Sequence, residues 1–170
     1  MKIVERYASA VRSSNLRSKE ATTYSDPDVV GAFGLAAKTE PLGAALHRLF
    51  TGDNRAAQAV IDALADKLTS RFAGSLTESE ARSVAAHTLN WNRDKVCPFC
   101  KGRGSDLIQG SPTLSDRECK HCRGTGQKLF EKQFHRDKLK FADWAQMQID
   151  IALPAAGQAA MKSLAASIDL

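Results

Sequence analysis

No part of this sequence approaches the roughly 20 consecutive apolar residues that a membrane span requires. Residues 1–24 are interrupted throughout by Arg, Lys, Glu and Ser, so a secretory leader is not expected either. Aromatic residues make up only 6% of the chain, and β-branched residues are few beside the abundant Ala. That composition disfavours a sheet and favours closely packed helices. There is no Walker loop, no HExxH pair and no Ser–His–Asp order, so an enzyme is not expected. Cysteine is restricted to four residues, and a cytoplasmic location would keep them reduced. Two disulfides are the alternative, but a CxxC pair makes a poor structural bridge.

The pattern of what is present reads as all-α. Residues 1–26 are polar, basic and Ser-rich without helical or strand periodicity, and are expected to form a flexible basic arm. A helical region is expected over residues 28–93. Val29, Val30, Phe33, Leu35 and Ala36 open a first helix that Thr39-Glu40-Pro41 ends. Pro41 can stand in the first turn of a second helix burying Leu42, Ala45, Leu46, Leu49 and Phe50. A third helix buries Ala57, Val60, Ile61, Leu64, Leu68 and Phe72, with Gly74 as its stop. Thr77 and Glu80 form a capping box for a fourth, which uses Val84, Ala85, Thr88 and Leu89 and runs toward the cysteines. Beyond a module over residues 94–128, residues 129–170 read as a helix pair. Its first member spans about Glu131–Ile151, with Phe134, Phe141, Ala145 and Ile149 inward. Pro154 separates it from a second that buries Ala160, Met161, Leu164 and Ile168.

Cys97-Pro98-Phe99-Cys100 and Cys119-Lys120-His121-Cys122 are separated by eighteen residues, within the spacing of a tetrahedral zinc site. Each pair runs into Gly-x-Gly, through Gly102 and Gly104 after the first and Gly124 and Gly126 after the second. A glycine two places past the second cysteine permits a left-handed backbone that aims amides at the sulfurs. Cys97, Cys100, Cys119 and Cys122 are therefore expected to bind one structural Zn2+, with iron as the competing ion. Four thiolates leave no place for water or substrate on the ion. His121 is expected at the surface or behind the ligands, and His47, His87 and His135 read as isolated, partly exposed helix residues. The intervening Ser105–Glu118 can form a short hairpin.

Charge is unevenly distributed. From Arg93 to Lys140 there are twelve Lys and Arg against six Asp and Glu, while the remainder of the chain is nearly neutral. Lys101, Arg103, Lys120 and Arg123 flank the ligands, and Lys132, Arg136 and Lys138 follow. These seven are the candidate nucleic-acid contacts, through phosphate. An acidic protein surface, or plain solvation, is the alternative for the four beside the ligands.

Two CxxCxGxG units are similar to those of the cysteine-rich region of DnaJ chaperones, which usually carry four. A match that includes the flanks is broader. The run Asp28-Val29-Val30-Gly31-Ala32-Phe33-Gly34-Leu35-Ala36, the Ala-rich helices, and then Cys97…Gly104 and Glu118-Cys119…Gly126 resemble, in order, the antitermination protein Q of lambda-type phages. The resemblance covers about Asp28 to Gly126. It implies a phage or prophage factor in the bacterial host cytoplasm that binds double-stranded DNA at a late promoter and loads onto bacterial RNA polymerase. The polymerase then reads through terminators. The family's helix after the zinc is followed by a recognition helix rich in Gln, Thr, Trp and Arg, giving a possible helix-turn-helix-like C-terminal pair. Pro154–Leu170 departs from it, with no Arg, no Trp and only Lys162. The remaining readings are a DnaJ-like adaptor binding protein only and a zinc-stabilised DNA-binding repressor.

Overall fold

The computed structural model describes Tyr7, residues 26–108, Ser111 and residues 113–166. The expected arm therefore lies outside the described residues except at Tyr7, which is buried at 5% exposure, and Asp26, which belongs to the first helix.

Helix α1 (Asp26–Thr39) turns Val29, Ala32, Phe33 and Ala36 inward at three- and four-residue spacing. Val30 and Leu35, also apolar members of this helix, lie off that stripe and are exposed. Pro41 cannot donate the next helical hydrogen bond, so the chain restarts as α2 (Pro41–Phe50) with Pro41 in its first turn. Leu42, Ala45, Leu46 and Leu49 are buried, whereas Phe50 faces out. Helix α3 (Ala56–Arg71) buries Val60, Leu64 and Leu68 completely, and Gly74 takes a φ of 79° beyond its end. The capping box forms as the sequence predicts. Thr77 Oγ1 accepts from the Glu80 amide at 3.3 Å, and Glu80 Oε2 accepts from the Thr77 amide at 2.9 Å, starting α4 (Glu78–Arg93).

The expected C-terminal pair is a single helix, α5 (Leu139–Ala166), 28 residues long with Pro154 inside it. Two physical causes explain the difference. Proline removes the amide that would bond the Asp150 carbonyl, but Pro154 and Asp150 are both exposed, so water can satisfy that carbonyl. On the opposite side Ala152, Ala156, Ala160 and Leu164 are buried, and this packing holds the helix together through the proline. Met161 points to solvent, and Ile168 lies outside the described residues. The start is also later than the sequence predicts. Residues Phe130–Gln133 form a 3-10 turn and Phe134 is extended, because their aromatic rings pack back on α4. Phe130 lies 4.9 Å from Trp91, Phe134 lies 6.3 Å from His87, and the Trp91 indole donates to the Lys128 carbonyl at 2.9 Å.

Helix α5 is the spine shared by two apolar clusters. Its first half closes the main core with α2, α3 and α4 through Phe141, Ala142, Ala145 and Ile149. Its second half meets α1 and Tyr7 through Ala160 and Leu164. His47 sits between the two. Its Nε2 donates to the Leu153 carbonyl at 2.9 Å, and its ring meets Phe33 and Tyr7 edge-on. A carbonyl only accepts, so the ring is protonated at Nε2. Burial lowers its pKa, which favours the neutral form. His47 is thus a core residue, not the partly exposed one expected. Gly43 permits the close approach of α2 to the same turn. A Cβ there would overlap the Ala152 carbonyl and stand 2.7 Å from Ala156 Cβ.

Glu80 also holds the start of α5. Lys138 Nζ lies 2.5 Å from Glu80 Oε1 and 3.7 Å from Asp137 Oδ2. This ion pair, with the Thr77 amide and hydroxyl, draws the Glu80 carboxyl down from 4.5 to about 2.

Two predictions arise. Gly43→Ala should destabilise the chain by about 1–3 kcal/mol through overpacking. Gly31→Ala, where a Cβ meets nothing within 4 Å, should be neutral or stabilise by up to about 1 kcal/mol; thermal melts of the two variants check the contrast. A depressed carboxyl stabilises the fold above its unfolded pKa and loses that contribution as pH falls through the folded one. Between pH 4.5 and about 2, Glu80→Gln should therefore flatten the acid loss of stability, measured by urea unfolding against pH.

Candidate metal centre

The module leaves α4 and returns toward α5 through a stem. The Lys128 amide donates to the Lys95 carbonyl at 2.7 Å, Val96 and Gln127 form an antiparallel bridge, and Lys128 Nζ pairs with Asp94 at 2.5 Å. Between these ends lie the two cysteine pairs and the predicted hairpin, β1 (Ser105–Leu107) and β2 (Leu114–Glu118), joined antiparallel with Ser105 opposite Glu118.

The four cysteines are free thiols, each buried to 2% exposure or less. Their sulfurs all lie within 4.8 Å of one another, and those of Cys100 and Cys122, from different pairs, are 3.7 Å apart. A tetrahedron with metal–sulfur bonds of about 2.3 Å has an edge of about 3.8 Å. The set is therefore the size of one metal ion, with every ligand position taken by protein.

The two halves hold each other by exchange. The Cys97 amide donates to the Gly126 carbonyl at 2.9 Å, and the Cys119 amide donates to the Gly104 carbonyl at 2.7 Å. The same two glycines send their own amides to sulfur, Gly104 to Cys100 at 3.4 Å and Gly126 to Cys122 at 3.2 Å. A Cβ on Gly104 would overlap the Gly124 carbonyl, and one on Gly126 would overlap the Gly102 carbonyl. Each contact has its twin in the other half, so the repeated octapeptide folds as an approximate two-fold pair. Gly102 and Gly124 take φ of 85° and 79°, as the sequence predicts. Lys101 and Arg123 precede them at 52° and 53°, a left-handed conformation that side chains resist. Two consecutive left-handed residues at the same place in each half make the turn that returns an amide to its own sulfur.

The sulfurs do not titrate alike without an ion. Burial pushes Cys100 up, but the Gly104 amide, the Cys122 and Cys97 thiols and the Gly102 amide outweigh it and bring Cys100 down to about 7. Burial, joined by the Cys100, Cys119 and Cys97 sulfurs and opposed by the Gly126 amide, pushes Cys122 up to about 11. A divalent cation would ease that conflict by offsetting half of the four thiolate charges, leaving a net −2.

The candidate cations fall into two sets. Lys101, Arg103, Lys120, Lys132 and Arg136 are exposed and make no ion pair with another described residue. Arg123 is exposed but lies 3.4 Å from Glu131, and Lys138 is half-buried against Glu80 and Asp137. His121 does not ligate. It stacks on Phe99 with ring centroids 3.4 Å apart and planes within 7°. Sequence reasoning passed over that pair, although both residues hold the third position of their CxxC. His87 is exposed on α4, and His135 lies outside any helix, 2.5 Å from Asp137. No helix among the described residues is long and apolar enough to cross a membrane.

No family model, curated protein or solved structure matches the chain.

Cys119→Ser should abolish metal binding and release the stem, while Ser111→Ala in the hairpin turn should do neither. Elemental analysis and melting curves decide this; a Cys119→Ser variant retaining one ion with an unchanged melt would overturn the centre.

Proposed function

We propose that the ion is zinc and that the chain is a transcription antitermination factor of the lambda-Q kind, which engages duplex DNA and bacterial RNA polymerase. The carrying observation is a four-sulfur knob with exposed cations around it that form no ion pair with another described residue: Lys101, Arg103, Lys120, Lys132 and Arg136. Zinc suits the donor set because it takes four thiolates in a tetrahedron without geometric preference of its own. Binding of this kind contributes roughly 10–16 kcal/mol in small zinc domains and couples directly to folding. The order of motifs in the sequence supports the family reading, from the Asp28–Ala36 run through the paired CxxCxGxG units.

Because α5 runs unbroken through Pro154, this reading does not use a terminal helix-turn-helix. Phosphate contact falls instead to the knob, where cations extend from a metal-fixed backbone. Lys138 is left out, since its charge is already matched by Glu80 and Asp137. A protein partner suits the hairpin, where Leu107, Ile108 and Leu114 are each more than two-fifths exposed. Three apolar side chains beside a cationic knob make a surface able to meet DNA and polymerase together.

Transcription from a phage late promoter with a terminator downstream tests the reading. The metal-loaded chain should raise readthrough. Replacing Lys101, Arg103, Lys120 and Lys132 with Ala should abolish that effect and flatten the slope of log K against log salt for duplex DNA by about 0.9 per lost contact. Salt-insensitive or absent duplex binding, with no change at the terminator, would leave the knob as a protein-only adaptor.

A further inference from the structure

The Phe99–His121 stack is an expensive surface for a chain so poor in aromatics. Phe99 is 64% exposed although one face of its ring is covered by His121. Its exposed area is therefore the opposite face and the edge. The cysteines turn inward to the ion, so the third residue of each CxxC is carried to the outside of the knob by a backbone the metal fixes. The two rings open on a groove of about 270 Å³ whose other walls include Leu129, Lys128, Lys132 and Gln133. Lys128 is engaged by Asp94. Lys132 is exposed and makes no ion pair with another described residue, and Lys120 adjoins His121 in the chain. Among the described residues the Gln133 amide reaches the Leu129 carbonyl alone, at 3.4 Å, and so keeps a donor and an acceptor.

We infer that this groove binds an unpaired nucleobase of a single-stranded nucleic acid, stacked on the Phe99–His121 pair with its flanking phosphates on Lys132 and Lys120. The rings, Gln133 and Lys132 of this groove each match one part of such a ligand, and Lys120 lies beside it in the chain. A flat π-face takes the base irrespective of its identity, an amide meets its polar edge, and ammonium groups take the backbone. A base in duplex has both faces covered by its neighbours, so the groove discriminates unpaired from paired strands without reading sequence. An acidic peptide would use the lysines but leave the aromatic face in water. The inference rests on the proposed nucleic-acid role of the knob and adds to its duplex contacts a site for an unpaired base.

The test uses the metal-loaded full chain and three probes in fluorescence anisotropy: an oligothymidylate, the abasic oligomer of the same length, and a duplex. The abasic strand retains the phosphates and removes only the stack. The oligothymidylate should bind about five- to a hundredfold more tightly than the abasic strand. Phe99→Ala should erase that ratio while leaving the abasic affinity and the salt slope unchanged, and Phe99→Trp should restore it. Phe99→Leu, which keeps an apolar cover over the cluster, should behave as Phe99→Ala and guards against loss of the metal as the cause. Equal binding of both single strands, with duplex affinity intact, would overturn the stacking site and leave the proposed function standing. Absence of affinity for all three probes would overturn both.

Discussion

The metal module depends on an exchange of backbone hydrogen bonds. Cys97 and Cys119 each give their amide to the last glycine of the opposite half, so neither half has a closed conformation of its own. The glycines are then needed three times over. They receive the partner's amide, donate to a sulfur, and leave room for the partner's carbonyl. Cysteine alone would assemble four sulfurs, but without these glycines their amides could not approach to share the negative charge. A metal ion and the backbone would thus solve one problem jointly, which is how to bury four thiolates.

The knob is attached firmly to the helical body. The stem at Lys95 and Lys128 continues into the Trp91–Phe130–Phe134 aromatic seam along α4, and Lys138 ties the following turn to the capping carboxylate of Glu80. Cations placed on such a knob have their backbone positions fixed in advance. Their approach to a partner therefore forfeits side-chain freedom only, not the larger backbone entropy of a flexible loop.

Much of this was legible from residue spacing. The ligand set, the hairpin, the capping box and the inward stripes of α3 and α4 follow from short-range chemistry, in which three or four residues decide the outcome. What spacing could not convey were long-range compensations. Pro154 reads as a break until Ala152 and Ala156 are seen packed on the α2 side. Phe134 has the period of an inner helical residue, yet it serves α4 from an extended backbone. His47 resembles any surface histidine until the Leu153 carbonyl is found beside it. In each case the partner lies far along the chain, and local pattern carries no record of it.

The placement of α5 has a consequence for the order of assembly. Helices α1 to α4 precede the knob in the chain, but the spine they pack against follows it. Until Gly126 meets Cys97, a long open segment separates α4 from α5, and joining them carries the closure entropy of that whole span. Once the ion is bound, the stem brings Lys128 to Lys95, and the remaining tether is only the short aromatic turn before Leu139. Closing the stem thus brings the spine close to its bundle, so an ion held by the four sulfurs would also favour a core some distance from it.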